Sequence, residues 1–181
     1  AEFVAESLQR NKFDIGAGDV VVCSTGLIGE RLPMDLLLGG VEAAAAVLVA
    51  EGSTAARAIM TTDSVPKVTR VEADEFTIGG MAKGAGMLAP GLATMIVVLT
   101  TDASLSSEVA ARSLALASRM TFDRIDSDGC MSTNDTVVLM ANGASGRQVS
   151  EKEFTNYLTQ ACADLARQLI ADAGEPGQIK C

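Results

Sequence analysis

An α/β fold of the α+β type, with mixed β-sheets sandwiched between helices, follows from three features of the sequence. Short runs rich in β-branched residues alternate with Ala- and Leu-rich stretches of helical character. Thr94 to Thr101 is almost unbroken in apolar residues, the pattern of a strand covered on both faces. Ser150-Glu151-Lys152-Glu153 is a capping box ahead of Phe154, Leu158, Leu165 and Leu169, which share one face of a long helix running through Ile170.

Taken in order, Phe3 to Leu8 reads as the end of a helix, broken by Gly16-Ala17-Gly18. Asp19 to Ser24 reads as a short buried strand, running into the turn Thr25-Gly26-Leu27-Ile28-Gly29. Such a turn leaves backbone N–H groups for an anion or an oxyanion, or is a plain strand-to-helix connection. Pro33 suits the first turn of a helix toward Ala50, bent or interrupted at Gly39-Gly40 and closed by Gly52. Ser53 caps a second helix, Ala55 to Met60, which delivers Thr61-Thr62-Asp63 to a loop. Lys67 to Val71 and Glu75 to Gly80 form a hairpin joined at Ala73-Asp74. Ser106 or Ser107 caps a helix from Glu108 to Met120 with Val109, Leu116 and Met120 inward, and Val137 to Met140 is a further buried strand.

Composition removes whole classes of chemistry. There is no histidine, so the chain by itself cannot build an imidazole-activated serine or cysteine, or a histidine metal site. Cys23, Cys130, Cys162 and Cys181 are widely spaced without a C-x-x-C pair, which suits reduced thiols. The formal charge of −9 argues against a nucleic-acid partner. No apolar run reaches the roughly 20 residues that cross a bilayer, and the N-terminal residues lack a signal-peptide pattern, so the expectation is a cytoplasmic protein without membrane contact. Asp123, Asp126 and Asp128 have a calcium-like spacing but no later glutamate follows, so no metal is expected. No nucleotide-type glycine motif follows a strand, so no obligatory cofactor is expected.

The chemistry is placed in the stretch from Gly79 to Val98, where five glycines, Pro90 and the lone Lys83 lead to Thr94 at the head of the apolar run. A threonine hydroxyl needs a base to become a nucleophile. Here the candidates are Lys83, a carboxylate, or the α-amine released if the Ala93–Thr94 bond were cut. That amine has a reference pKa near 8 and would stand beside its own hydroxyl. The alternative is that Thr94 merely opens a core strand.

Lys83-Gly84-Ala85-Gly86-Met87-Leu88-Ala89-Pro90-Gly91-Leu92-Ala93-Thr94-Met95 resembles the processing motif of the glutamate N-acetyltransferase/ornithine acetyltransferase family of arginine biosynthesis. Cys23 to Gly29, Ala58 to Asp63 and Ser132 to Thr136 are similar to other family segments, in family order and over nearly the whole chain. The resemblance implies the family's own fold, related to certain aminopeptidases. It implies one domain over 1–181, the central part of a longer family chain, cut into a fragment ending at Ala93 and one beginning at Thr94. The resemblance makes Thr94 the nucleophile for self-cleavage and for acetyl transfer, with Thr25 and Gly26 as the oxyanion hole. Thr61, Lys83 and Thr94 are substrate-binding positions, and Glu175 is a further candidate on a segment that matches the family less closely. The implied reaction moves acetyl from N-acetylornithine to glutamate, with acetyl-CoA as a candidate co-substrate. The implied partners are the chain's own cleaved fragments, as α2β2 or larger. An amidase or aminopeptidase using the same threonine, or an inactive truncated relative, is the alternative. Pro90-Gly91-Leu92-Ala93 departs from the family's usual Pro-Asn-Met-Ala before the threonine.

Overall fold

The computed structural model describes residues 1–25, 29–48, 52–85, 88–89, 92–93, 95–126 and 132–173, with 88–89 and 92–93 described by backbone alone. These fall into two compact units, Ala1–Glu51 and Gly52–Cys181.

In the first unit, helix α1 (Glu2–Arg10) packs with helix α2 (Met34–Ala46) through small buried residues, Ala5, Ser7 and Ala45. Arg10 donates to Ser7 Oγ and, at 3.0 Å, to Glu42. The expected strand Asp19–Ser24 is absent: Ala17–Asp19 is a 3-10 turn and residues 20–25 are irregular. A β-branched run becomes a strand only where a neighbouring ladder and a buried face receive it, and Val21 and Val22 are both exposed. Helix α2 runs through Gly39 and Gly40 without interruption, because the flanking Leu and Ala outweigh the roughly 1 kcal/mol that each glycine costs.

In the second unit, helix α3 (Gly52–Ala58) begins at the glycine expected to end its predecessor. The hairpin follows as strands β1 (Lys67–Glu72) and β2 (Thr77–Lys83), in register from Lys67–Ala82 to Glu72–Thr77. Beyond β2, strands β3 (Leu88–Ala89) and β4 (Leu92–Ala93) make a two-residue antiparallel pair. Strand β5 (Ile96–Thr101) lies antiparallel to β2, and strand β6 (Thr136–Ala141) lies parallel to β5 after a crossover through helix α4 (Ser107–Met120). The mixed sheet therefore runs β1-β2-β5-β6. Helix α5 (Glu151–Ala173) crosses β1 and β2 and packs on α4.

One sheet face is the core. Val71, Ile78, Ala82, Val97 and Leu99 project from it onto Phe154, Leu158, Leu165 and Leu169 of α5, the four positions read from the sequence. Gly80 permits the close approach: a Cβ there would stand 2.8 Å from Leu99 Cδ2 and 3.2 Å from Leu165 Cδ1. Among the described residues, strand β5 is not covered on both faces. Ile96, Val98 and Thr100 alternate toward the other side, where Val68, Met81 and Val98 line a groove of about 760 Å³ with Gly52, Ser53 and Ala55 of α3. Strand β6 is half-buried rather than buried, since β5 is its one partner in the described sheet.

The caps match the sequence: Ser106 Oγ accepts from Val109 N–H and Ser150 Oγ accepts from Glu153 N–H. Leu116 and Met120 are exposed instead of inward, because α4 faces its neighbours with Ser113 and Ala117. The Ser113 and Thr155 hydroxyls are hydrogen-bonded at 2.8 Å between α4 and α5, a spacing that large side chains would prevent. No helix among the described residues is long and apolar enough to cross a membrane.

Candidate functional site

The site gathers where β2 ends. Strand β2 carries Lys83 at its last position, buried, and the ammonium donates to Thr61 Oγ1 at 3.2 Å. Thr61 and Lys83, two of the candidate binding residues, are thus brought together from 22 positions apart. Thr61 is an exposed residue and Lys83 a buried one, so the pair places a hydroxyl and a cation next to each other at the edge of the sheet. Burial pushes the Lys83 pKa down, while the carboxylates of Asp63 and Asp135 oppose that shift and the Lys67 charge adds to it.

Asp63 is the hub of this cluster. Its Oδ2 accepts the Thr61 N–H at 3.1 Å, and its Oδ1 accepts both the Gly84 N–H at 2.7 Å and the Lys67 ammonium at 2.6 Å. Gly84 has φ 148°, a backbone region that glycine alone adopts readily, and this aims its N–H at the carboxylate. Burial by itself would raise the Asp63 pKa. The hydrogen bonds from Lys67, Gly84 and Thr61 outweigh it and hold the carboxyl below its usual range.

Lys67 is fully buried at the first position of β1. Its ammonium also reaches Asp172 at the end of α5, at 2.5 Å, and Asp172 accepts the N–H and hydroxyl of Ser64. Asp172 too is held below the ordinary carboxylate range: burial opposes this, but Lys67 and Ser64 prevail. The end of α5 is therefore tied to the Thr61–Asp63 loop, three residues before Glu175 in sequence.

At the opposite strand, Met95 is clamped on both backbone groups. Its N–H donates to Asp135 Oδ1 at 2.9 Å and its C=O accepts the Thr136 N–H at 3.1 Å. Asn134 N–H donates to Ser132 Oγ at 3.2 Å, within the segment that carries Asp135 to Met95. Ala93 pairs in backbone register with Leu88. Thr25 is half-buried in an irregular segment of the first unit. Thr94, Gly26 and Glu175 lie outside the described residues, as do Asp128, Cys130 and Cys181. Asp123 and Asp126 are exposed.

Lys67 and Asp135, which border Lys83, and Asp172, a structural counter-ion of Lys67, are residues that the sequence reading did not single out. The signal for Lys67 was its parity, since Lys67, Thr69 and Val71 alternate onto the core face and a charge there implies counter-ions.

Comparison with known proteins shows which family the sequence matches. The family model described as ArgJ family matches residues 1–178. A protein of Thermobifida fusca named arginine biosynthesis bifunctional protein ArgJ is 61% identical over 174 residues, 96% of this chain and 44% of the relative. Proteins of the same name from Streptomyces avermitilis and Mycobacterium leprae are 59% and 52% identical, each over 96% of this chain and 44% of the relative. The chain thus spans somewhat under half the length of these relatives. With the family model matching nearly its whole length, the chain belongs to the ArgJ family.

Proposed function

We propose that the protein transfers an acetyl group from N-acetylornithine to glutamate in arginine biosynthesis, by a ping-pong route through an acetyl ester of Thr94. The observation that carries this reading is the Thr61–Lys83 pair at the mouth of the segment leading to Ala93 and Thr94. An ammonium beside a hydroxyl suits the α-carboxylate that both amino-acid substrates share.

The chemistry begins with self-cleavage. The Thr94 hydroxyl attacks the Ala93 carbonyl, the acyl group shifts from nitrogen to oxygen, and water hydrolyses the ester, leaving a free Thr94 α-amine. That amine then takes the hydroxyl proton as Thr94 Oγ attacks the acetyl carbonyl of N-acetylornithine, and the proton leaves with the ornithine amine. Glutamate's amine attacks the acetyl ester and restores the hydroxyl. Thr25 and the Gly26 N–H are assigned to the oxyanion of both tetrahedral steps, a role in which one lost donor costs about 10²–10³ in rate. Acetyl-CoA is a candidate second donor, and no other cofactor is proposed. The two fragments are proposed to stay together as α2β2 or larger, in the cytoplasm.

Intact mass together with N-terminal sequencing tests the core of the reading. The wild type should yield a fragment beginning Thr-Met-Ile-Val. Thr94→Val, which keeps the shape and loses the hydroxyl, should remain a single chain without acetyl transfer. Cleavage of the valine variant at the same bond would assign the cut to an outside protease and remove Thr94 as nucleophile.

A further inference from the structure

Burying Lys67 between two aspartates contributes little stability, because desolvating three charges costs several kcal/mol per ion and the pairing roughly repays it. What the network does supply is geometry. The Asp63 carboxylate holds the backbone on both sides of the Thr61–Lys83 contact: one oxygen takes the N–H of Thr61 itself, and the other takes the N–H of Gly84, the residue after Lys83. Lys67 occupies the second oxygen as well, at 2.6 Å, and Asp172 secures Lys67 from α5. Rotating the carboxylate away from either amide would therefore also disturb its ion pair with Lys67 of β1.

We propose that Asp63 is the positioning residue of the substrate-carboxylate site, fixing the Thr61 hydroxyl and the Lys83 ammonium at the separation from which both reach one carboxylate of the amino-acid substrate. This rests on the assignment of Thr61 and Lys83 as substrate-binding groups made above. Asp63 does not touch the substrate. It acts through two backbone amides and through its charge. Among the described residues, the charged groups facing Lys83 are Asp63 on the loop after α3, Asp135 on the loop before β6, and Lys67 on β1. Removing the Asp63 charge takes away one of the two carboxylates that keep Lys83 protonated, so the loss of substrate affinity at alkaline pH should begin at lower pH.

The test compares Asp63→Asn with Asp172→Asn. Both weaken the pairing of Lys67, but only the first changes the groups that hold Thr61 and Gly84. Asp63→Asn should raise the KM for glutamate about tenfold with kcat much less affected, and should shift the alkaline limb of kcat/KM acidward by about one pH unit. Asp172→Asn should lose stability while leaving KM and the limb near wild type. If both variants lose affinity in proportion to stability, or if folded Asp63→Asn keeps the wild-type KM and limb, the positioning role is overturned. Should Asp63→Asn fail to fold, Asp63→Glu retains the charge but changes the reach. It should raise KM without moving the limb, and an unchanged KM would refute the role. Titration of the Lys83 ε-carbon by ¹³C NMR separates this claim from the activity itself. If the wild type shows no acetyl transfer, the functional reading falls, whereas an identical Lys83 midpoint in wild type and Asp63→Asn would overturn the electrostatic coupling asserted here.

Discussion

At the scale of single residues, the chain is most exacting around the peptide that follows position 94. The Met95 N–H is buried with its residue and is accepted by the Asp135 carboxylate, while the Met95 carbonyl is taken by Thr136. Asp135→Ala leaves that amide without its acceptor and should cost about 1–3 kcal/mol of stability. Asp135→Asn keeps an oxygen in the same place and should cost clearly less. Thermal melts of the two variants check this, and equal losses would mean that charge, rather than the hydrogen bond, is what Asp135 contributes. Thr61 and Lys83 entered as binding positions through the family resemblance, and the structure joins them. Asp135 and Asp172 were not legible, because each acts on a partner far along the chain, Met95 at 40 residues and Lys67 at 105. No local pattern encodes such pairings.

At the scale of elements, local rules worked where the element carries its own instructions. The serine caps of α4 and α5 and the apolar face of α5 could be read directly, because side chains within a few residues of one another decide them. The β1–β2 hairpin was legible for the same reason. The reading failed where a neighbour decides the outcome. Val20 to Cys23 have strand composition but no ladder, and α4 turns its small residues inward because α5 lies close. Gly80 is a similar case. It reads from the sequence as the last residue of a strand that runs into the glycine-rich stretch, yet it stands mid-strand under Leu165 where a Cβ would meet Leu99 at 2.8 Å. The contacted atoms are side-chain ends and can yield in part. Gly80→Ala should therefore fold with α5 displaced from the sheet, at a loss of about 1–3 kcal/mol. Gly79→Ala, whose Cβ would meet Thr100 Oγ1 at 3.4 Å on the other sheet face, should be tolerated. Chemical denaturation of the pair measures the difference, and a Gly80→Ala protein as stable as wild type would show that the helix-to-sheet spacing is not set here.

At the scale of the molecule, the hydrophobic core lies in the second unit, and the charged cluster at its edge gives that core a defined response to acid. With no histidine in the chain, no imidazole titrates near neutrality, so the melting temperature should change little from about pH 8 to pH 6. Below that the carboxylates take over. Asp63 and Asp172 both have folded-state pKa values below the ordinary ones, so their stabilisation is complete above the unfolded aspartate value of about 4 and is lost as pH falls through the folded values. Lys67→Met reverses that sign. Without the ammonium, the two buried carboxylates repel one another and lose hydrogen bonds, and protonation then relieves the strain instead of creating it. The variant should be less stable than wild type by about 3–5 kcal/mol near neutral pH, and the gap should narrow steadily as the solution is acidified. Melting curves of both proteins between pH 7 and pH 3 decide the matter. Parallel curves would mean that Lys67 is not the counter-ion that keeps Asp63 and Asp172 charged, and the cluster could not then hold the Thr61 loop against the end of β2 by charge.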